Sequence, residues 1–310
     1  MAHITAVIVT FNSAHCAEAL GAQLRGWPHV TIVDNGSADG TPECMRAVLP
    51  QAQIIALPQN MGFGVANNRG FQAATTPYCL MINPDCAVQS DDAQALFETA
   101  QQWPDAAIVV PQLVGSDGRL QVNYGWVRDW WSSKGPAAEG VTCVGNACGA
   151  AMLLRMDQAP AEGWFDERFF LYYEDTDLSW RGRSRGWRYR TVPTARMRHV
   201  HAASSSDDSG LAQRLTERNR LLMLVRNAST RLAITQILRF PLTTASYARR
   251  DVVRPLLAGE RPSGTRVGWR LRSFAGFLRL LPGALRDRRS LRALRILPVA
   301  EVESGLRVHE

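Results

Sequence analysis

Three carboxylates within four residues are the strongest chemical signal in this 310-residue chain. Glu174, Asp175 and Asp177 directly follow a run of aromatic and apolar residues at positions 169–173. Burial against such a run and the repulsion between neighbouring carboxylates raise the pKa of an acid, which suits a general base that takes a proton from a hydroxyl. The alternative is an acidic helix N-terminus that favours the helix dipole, and Asp177 in particular suits that role.

A fourth carboxylate, Asp85, closes the sequence Asn-Pro-Asp after an apolar run at residues 78–82. One carboxylate together with substrate diphosphate oxygens commonly holds magnesium or manganese. His199 is a candidate second ligand and would favour manganese, with His201 as the alternative. An ordinary Asx-Pro turn and a structural histidine are the competing interpretations.

Asp34 ends another apolar run and precedes the turn sequence Asn-Gly-Ser. A carboxylate in this position can bind a ribose hydroxyl or a base N–H at the edge of an α/β sheet. It can equally cap the following helix.

The elements that must position these groups alternate between strand and helix, which predicts an α/β fold with right-handed crossovers. In such a fold the carboxyl ends of parallel strands form the ligand crevice, and Asn12, Asp34 and Asp85 stand at those ends. The predicted strands cover residues 4–10, 30–33, 53–57, 78–82, 150–154 and 188–192, and the predicted helices cover residues 14–24, 41–48, 65–74 and 93–103.

Composition indicates a globular chain, with 46% hydrophobic and 20% charged residues. Charge is uneven, because residues 211–310 carry a net +13 and residues 1–210 a net −6. We therefore divide the chain into a catalytic domain at 1–210 and a basic amphipathic helical region at 211–310. The apolar stretch 221–242 contains three arginines, so we expect no membrane-spanning helix. The first residues predict a strand rather than a signal peptide, and the six scattered cysteines indicate reduced thiols.

The basic region could lie on an anionic membrane. In residues 266–281 most apolar side chains fall on one helical stripe, with Arg272 and Arg279 opposite. Packing of this stripe onto the catalytic domain is the alternative. The stripe consists of Val267, Leu271, Phe274, Phe277, Leu278 and Leu281.

Taken in order, these segments resemble glycosyltransferase family 2, in particular its bacterial rhamnosyltransferase-like branch. The resemblance covers residues 4–227 and depends on VIVTFNS, VDNGSADGT, NMGFGVANNRG, NPD, GAAMLLRM and FDERFFLYYEDTDLSWRGRSRGW. It implies a GT-A fold, which is a Rossmann-like, mostly parallel central sheet with flanking helices, plus a C-terminal helical extension. The chain departs from the family pattern at NPD, which lacks the first carboxylate of a DXD motif.

The resemblance also implies roles for single residues. Asp175 would be the catalytic base, with Glu174 and Arg181 on the acceptor side. Asp85 and His199 would hold a divalent cation, magnesium or manganese, on the donor diphosphate. The nucleotide-sugar-binding residues would be Thr10, Asn12, Asp34, Gly64, Asn68 and Asp85.

The implied reaction is an inverting, metal-dependent transfer of a hexose to a hydroxyl of a glycan or polyprenyl-linked glycolipid. TDP-rhamnose is the first candidate donor, and a UDP-hexose is the next. It would serve cell-surface polysaccharide synthesis in the cytoplasm, with peripheral contact on the inner face of the plasma membrane. A catalytically inactive nucleotide-sugar-binding module on the same fold is the alternative. A nicotinamide-dependent oxidoreductase is disfavoured because no G-x-G-x-x-G follows the first strand, and no motif for a nucleic-acid partner is present.

Overall fold

A computed structural model describes residues 1–121, 126–128, 132–134, 140–199 and 210–305. Twelve strands are assigned within these ranges: β1 Ile4–Thr10, β2 Val30–Asp34, β3 Gln53–Ala56, β4 Tyr78–Ile82, β5 Cys86–Ala87, β6 Ala106–Val114, β7 Leu120–Gln121, β8 Trp126–Arg128, β9 Ser132–Lys134, β10 Thr142–Cys143, β11 Ala151–Arg155 and β12 Arg188–His199. The α-helices in the same ranges are α1 Ala17–Leu24, α2 Thr41–Val48, α3 Phe63–Ala73, α4 Ser90–Gln102, α5 Glu174–Ser184, α6 Leu211–Asn227, α7 Thr230–Ala248, α8 Arg254–Leu257, α9 Thr265–Ala293 and α10 Val299–Gly305.

The central sheet has the strand order β10-β12-β6-β11-β4-β1-β2-β3, with β5 paired to β12 and β7 to β6. Strands β1 to β4 pair in parallel, as predicted, and β12 runs parallel to β6. The sheet as a whole is mixed rather than mostly parallel, because β11 enters antiparallel between β4 and β6. Sequence reasoning assigned no element to β6, whose Pro111 interrupts an otherwise strand-like run.

Strand β1 shows how the sheet is buried on both faces. Ile4, Ala6 and Ile8 belong to one apolar cluster, while Val7 belongs to the cluster on the other side. This arrangement is expected of a continuous apolar run whose successive side chains point to opposite faces of the sheet. The polar residues that follow each strand are thereby held at fixed places along one edge.

The C-terminal helices pack onto the catalytic part of the chain. Phe169 and Trp180 lie in one buried cluster with Leu221, Leu224 and Phe277. Helix α6 is buried along most of its second half, and α9 packs against it. The predicted boundary at residue 210 therefore does not separate two hydrophobic cores, because this cluster contains residues from both sides of it.

This packing corrects the membrane-facing stripe predicted for residues 266–281. Phe277 is fully buried, and Phe274 is half-buried and stacks on Phe240 with ring centroids 5.3 Å apart. These two side chains face the protein, so their assignment to a membrane surface was wrong. Leu271 and Leu278 from the same stripe are exposed. In the described part of the chain, no helix combines the length and hydropathy needed to cross a bilayer.

Candidate active site

Thr10 and Asp34 meet at the carboxyl ends of β1 and β2, where they are register partners. The Thr10 hydroxyl donates to Asp34 Oδ1 at 3.0 Å, and the backbone N–H of Ser37 donates to Asp34 Oδ2 at 3.0 Å. The Ser37 hydroxyl also donates to Asp34 Oδ1. Asp34 is only 2% exposed, so its carboxylate organises the turn and has little free surface for a ligand.

The two loops that follow β1 and β2 are tied together by Asn12 and Ser37. Asn12 has a positive φ of 50° and is exposed. Its backbone N–H donates to Ser37 Oγ at 2.8 Å, while its side-chain oxygen accepts from the Ala38 N–H at 2.9 Å. Sequence reasoning missed Ser37, although the Asn-Gly-Ser turn was the available signal.

Gly64 and Asn68 lie on α3 and are buried away from the open cleft. The Asn68 side chain pairs with the backbone of Phe165, donating to its carbonyl at 2.9 Å and accepting from its N–H at 3.0 Å. A Cβ on Gly64 would lie 3.1 Å from the Phe165 side chain. Both residues therefore hold the segment that precedes the carboxylate cluster, rather than presenting atoms to a nucleotide.

Asp85 and His199 are brought together by an antiparallel pairing across 114 positions of sequence. Strand β5 begins at Cys86, which is the register partner of His199 in β12. The His199 Nε2 atom lies 3.5 Å from Asp85 Oδ1. Asp85, Cys86 and His199 could together surround a metal ion. His201, the alternative ligand, falls outside the described residues.

The donor set fits a divalent cation. Gln121 fixes the imidazole, because its amide oxygen lies 3.0 Å from His199 Nδ1 and its amide nitrogen donates to the His199 carbonyl at 3.0 Å. Because Nδ1 is held in this way, Nε2 faces Asp85 Oδ1 and would be the ring nitrogen that binds a cation. The Cys86 thiol is buried and donates to the Ala150 carbonyl at 3.5 Å, so the carboxylate and imidazole are the better ligands for magnesium or manganese. Sequence reasoning missed Gln121 because it lies 78 positions from His199.

Glu174 and Asp175 begin α5 and enter the cleft with different environments. Burial raises the pKa of Asp175, but hydrogen bonds from the N–H groups of Gly149 at 3.0 Å and Thr176 at 2.6 Å oppose that increase. Burial and the neighbouring Asp175 charge raise the pKa of Glu174 to about 8. The Glu174 Oε2 atom has no hydrogen-bond partner within the described ranges. Glu174, with a pKa raised to about 8, is thus the member of the pair that holds a proton more readily, whereas the hydrogen bonds to Asp175 favour its charged form.

Asp177 and Arg181 are turned away from the cleft. Asp177 is fully buried and accepts from Arg181 Nε at 2.7 Å, Arg226 Nε at 3.0 Å and Asn227 Nδ2 at 2.7 Å. Asp177 lies in the first turn of α5, as the helix-terminus interpretation predicted, and its carboxylate is also the centre of a buried ion-pair network. Arg181 also donates to the Trp164 carbonyl at 2.6 Å and is only 2% exposed, so its contacts with the described residues lie inside the protein and it does not line the cleft that contains Asp175.

A cavity of about 340 Å³ unites the two chemical groups at the edge of the sheet. Asp85 and His199 line one part of it, and Glu174 and Asp175 line another. Phe170, Leu171 and Tyr172 form an aromatic and apolar wall beside the carboxylates. On the side of β1 and β2 the lining comes from Phe11, Ser13 and Asn35, the neighbours of the predicted nucleotide-binding residues. The cavity therefore brings the Asp85–His199 pair and the Asp175 carboxylate into one space.

Known proteins resemble this chain in sequence. Residues 5–158 match the family model described as glycosyl transferase family 2. An N-acetylglucosaminyl-diphospho-decaprenol L-rhamnosyltransferase from Mycobacterium tuberculosis is 29% identical over 210 residues, which cover 58% of this chain and 68% of the relative.

Solved structures show the same fold at low identity. The S. aureus TarS 1-349 structure has a TM-score of 0.52 and 13% identity, covering 97% of this chain and 90% of that one. GalNAc-T7 with UDP, GalNAc and Mn²⁺ has a TM-score of 0.55 and 13% identity, covering 72% of this chain and 47% of that one. These matches confirm the predicted GT-A fold with its C-terminal helical region. The chain belongs to glycosyl transferase family 2.

Proposed function

We propose that this chain is an inverting glycosyltransferase that moves rhamnose from TDP-rhamnose to a hydroxyl of a polyprenyl-linked glycan. The observation that carries the proposal is the single cavity that contains both the Asp85–His199 pair and the Glu174–Asp175 pair. The name of the mycobacterial relative supports the choice of sugar and acceptor. A glycan or polysaccharide pathway on the inner face of the plasma membrane is the setting that we infer.

Asp175 is the base in this proposal. Its ionised carboxylate accepts the proton of the acceptor hydroxyl while that oxygen attacks the anomeric carbon, so one in-line displacement inverts the centre. The Gly149 N–H holds Asp175 Oδ2 at 3.0 Å and fixes its direction. Protonated Glu174 can donate a hydrogen bond to an acceptor oxygen, which places it on the acceptor side.

Asp85 and His199 are proposed to bind the donor diphosphate through a divalent cation. A bound magnesium or manganese ion would neutralise the charge that develops on the leaving diphosphate. Gln121 keeps the imidazole in place for this contact. Across the cleft, the Thr10–Asp34–Ser37 turn supports the loops that would contact the nucleoside.

Helices α7 and α9 are proposed to contact the membrane through a face that differs from the predicted stripe. Leu271, Leu278 and Leu285 are exposed at intervals of seven residues along α9. An exposed arginine follows each leucine, at positions 272, 279 and 286. On α7, Leu238 and Leu242 add further exposed apolar side chains. Apolar residues beside arginines suit an anionic lipid surface.

Transfer assays with TDP-rhamnose and a short-chain N-acetylglucosaminyl-diphospho-polyprenol test the proposal. Asp175→Asn keeps the side-chain shape but removes the base, so we expect transfer to fall by a factor on the order of 10² or more while donor binding is retained. Glu174→Gln is the matched control, because a protonated acid and an amide can both donate a hydrogen bond. If Asp175→Asn transfers normally and Glu174→Gln is inactive, Glu174 is the base instead.

Turnover in this transfer assay would exclude the alternative, an inactive nucleotide-sugar-binding module. A wild-type protein that binds the donor, seen as a thermal shift, but transfers to no acceptor would favour that alternative.

A further inference from the structure

The wall of the cleft has an unusual backbone. Phe170, Tyr172 and Tyr173 adopt positive φ values of 63°, 68° and 71°. Bulky side chains rarely take this conformation, which persists only where surrounding contacts hold it and which is concentrated at functional sites. Phe170 and Tyr172 line the cavity, and Glu174 and Asp175 come directly after this segment. The backbone path of this segment therefore determines the position of Glu174 and Asp175 at the beginning of α5.

Two neighbouring side chains of α6, Arg218 and Asn219, contact the backbone of the wall segment from behind. Asn219 of α6 is fully buried, and its Nδ2 lies 2.7 Å from the Phe169 carbonyl, 2.9 Å from that of Leu171 and 2.7 Å from that of Tyr172. Arg218 donates to the Phe169 carbonyl at 3.0 Å and to Asn219 Oδ1 at 2.8 Å. The Asn219 amide oxygen therefore accepts from Arg218, and its two N–H donors are shared among the three carbonyls.

From the front, the wall meets the loop before α3. The Phe63 N–H donates to the Phe170 carbonyl at 2.6 Å. A Cβ on Gly62 would lie 2.7 Å from that same carbonyl oxygen, so no larger residue fits there. These contacts fix one end of the wall at Phe170, whereas Asn219 is the group that reaches Leu171 and Tyr172.

We propose that Asn219 is a positioning residue for the acceptor side: by holding the carbonyls of Phe169, Leu171 and Tyr172, it keeps the wall in the shape that receives the acceptor beside Asp175. The inference rests on the proposed function for the nature of the acceptor. Asn219 itself does not line the cavity. Its effect should therefore appear in acceptor KM and kcat rather than in donor KM.

Two substitutions at Asn219 remove its hydrogen bonds to different extents. Asn219→Leu keeps the branched shape of the side chain and removes the donor, while Asn219→Ser keeps one short donor. With TDP-rhamnose and a short-chain N-acetylglucosaminyl-diphospho-polyprenol, we expect kcat over acceptor KM to fall by about tenfold or more in Asn219→Leu, and by less in Asn219→Ser. Donor KM should stay within about twofold of wild type.

Thr244→Val is the matched control, because Thr244 is a buried polar residue of α7 that donates to the Phe240 carbonyl, accepts from Arg270 Nε and does not touch the wall. We expect its kinetic constants to match wild type. Hydrogen exchange gives a second readout: backbone amides of residues 169–174 should exchange faster in Asn219→Leu and Asn219→Ser but not in Thr244→Val.

The outcomes separate this inference from the proposed function. If wild type transfers sugar and Asn219→Ser changes neither acceptor KM nor exchange of the wall, the positioning role is wrong. An equal rise in donor and acceptor KM would also overturn it, because that result indicates a general loss of structure. If wild type transfers no sugar, the proposed function fails, and exchange at residues 169–174 still decides whether Asn219 holds the wall.

Discussion

Arg226 offers the sharpest test of how the C-terminal helices are joined to the catalytic part. Its guanidinium lies 3.0 Å from Asp177 Oδ1, 2.7 Å from Asp166 Oδ2 and 2.6 Å from Asp287 Oδ2. Asp177 and Arg226 are buried, with side-chain exposures of 0% and 3%, whereas Asp287 is 35% exposed. Most of the effect of removing Arg226 should therefore come from the buried carboxylates.

Arg226→Met keeps the length of the side chain and removes its charge. Loss of one partner from a buried ion pair costs about 3–5 kcal/mol. Asp177 keeps its contacts with Arg181 and Asn227 in this variant. We therefore expect a loss of free energy of unfolding at the lower end of that range, about 3 kcal/mol. For a chain of 310 residues this corresponds to a decrease in Tm on the order of 5 °C.

The loss should depend on pH. Although burial alone raises the pKa of Asp177, Arg226 and Arg181 hold it below its usual range. A lowered pKa contributes stability that is present above the unfolded pKa of about 3.9 and is lost as the pH falls through the folded value. The difference in free energy of unfolding between wild type and Arg226→Met should therefore be largest at pH 7 and should decrease below about pH 4.

Urea unfolding at several pH values measures this difference. The control is Arg46→Met, because Arg46 forms an exposed pair with Glu43, with side-chain exposures of 56% and 72%. That variant should lie within about 0.5 kcal/mol of wild type. A loss in Arg226→Met no larger than in Arg46→Met, or one that does not change with pH, would refute the assignment of Asp177 and Asp166 as its buried partners.

Further predictions concern the cation, the protonated acid and the basic surface. Asp85→Ala and excess chelator should each lower kcat more than acceptor affinity, and full activity in chelator would remove the cation from the mechanism. Because the pKa of Glu174 is raised to about 8, wild type should lose stability as pH rises from about 5 to 8, and Glu174→Gln should flatten that slope in thermal melts. Replacing three exposed α9 arginines by glutamate should abolish sedimentation with anionic liposomes at low salt, while an equal charge change on the catalytic part should not; if both proteins still sediment, α9 is not the contact. The α9 set is Arg272, Arg279 and Arg286, and the control set is Arg25, Arg46 and Arg69.

Local signals were sufficient for the first half of the fold. Helix α2 and strands β1 and β4 have the predicted bounds, because apolar runs and the turns that end them are encoded by adjacent residues. The same signals indicated that Asp34 and Asp85 stand at strand ends, where a parallel sheet has its crevice. The aromatic run before Glu174 and Asp175 indicated a buried carboxylate pair, and their raised pKa values have burial as their first cause.

Only tertiary structure decided which polar groups face the cleft. Asp175 and Asp177 are two residues apart, yet one lines the cavity and the other binds Arg226 from α6. His199 and Gln121 are 78 positions apart in the sequence, and Asn219 is about 50 positions from the wall. Such pairings depend on strand register and helix packing, which sum many weak contacts along the whole chain, so no local pattern specifies them. For the same reason, the apolar stripe of α9 could be recognised from its sequence, but whether Phe277 met protein or lipid was settled by the helix packed against it.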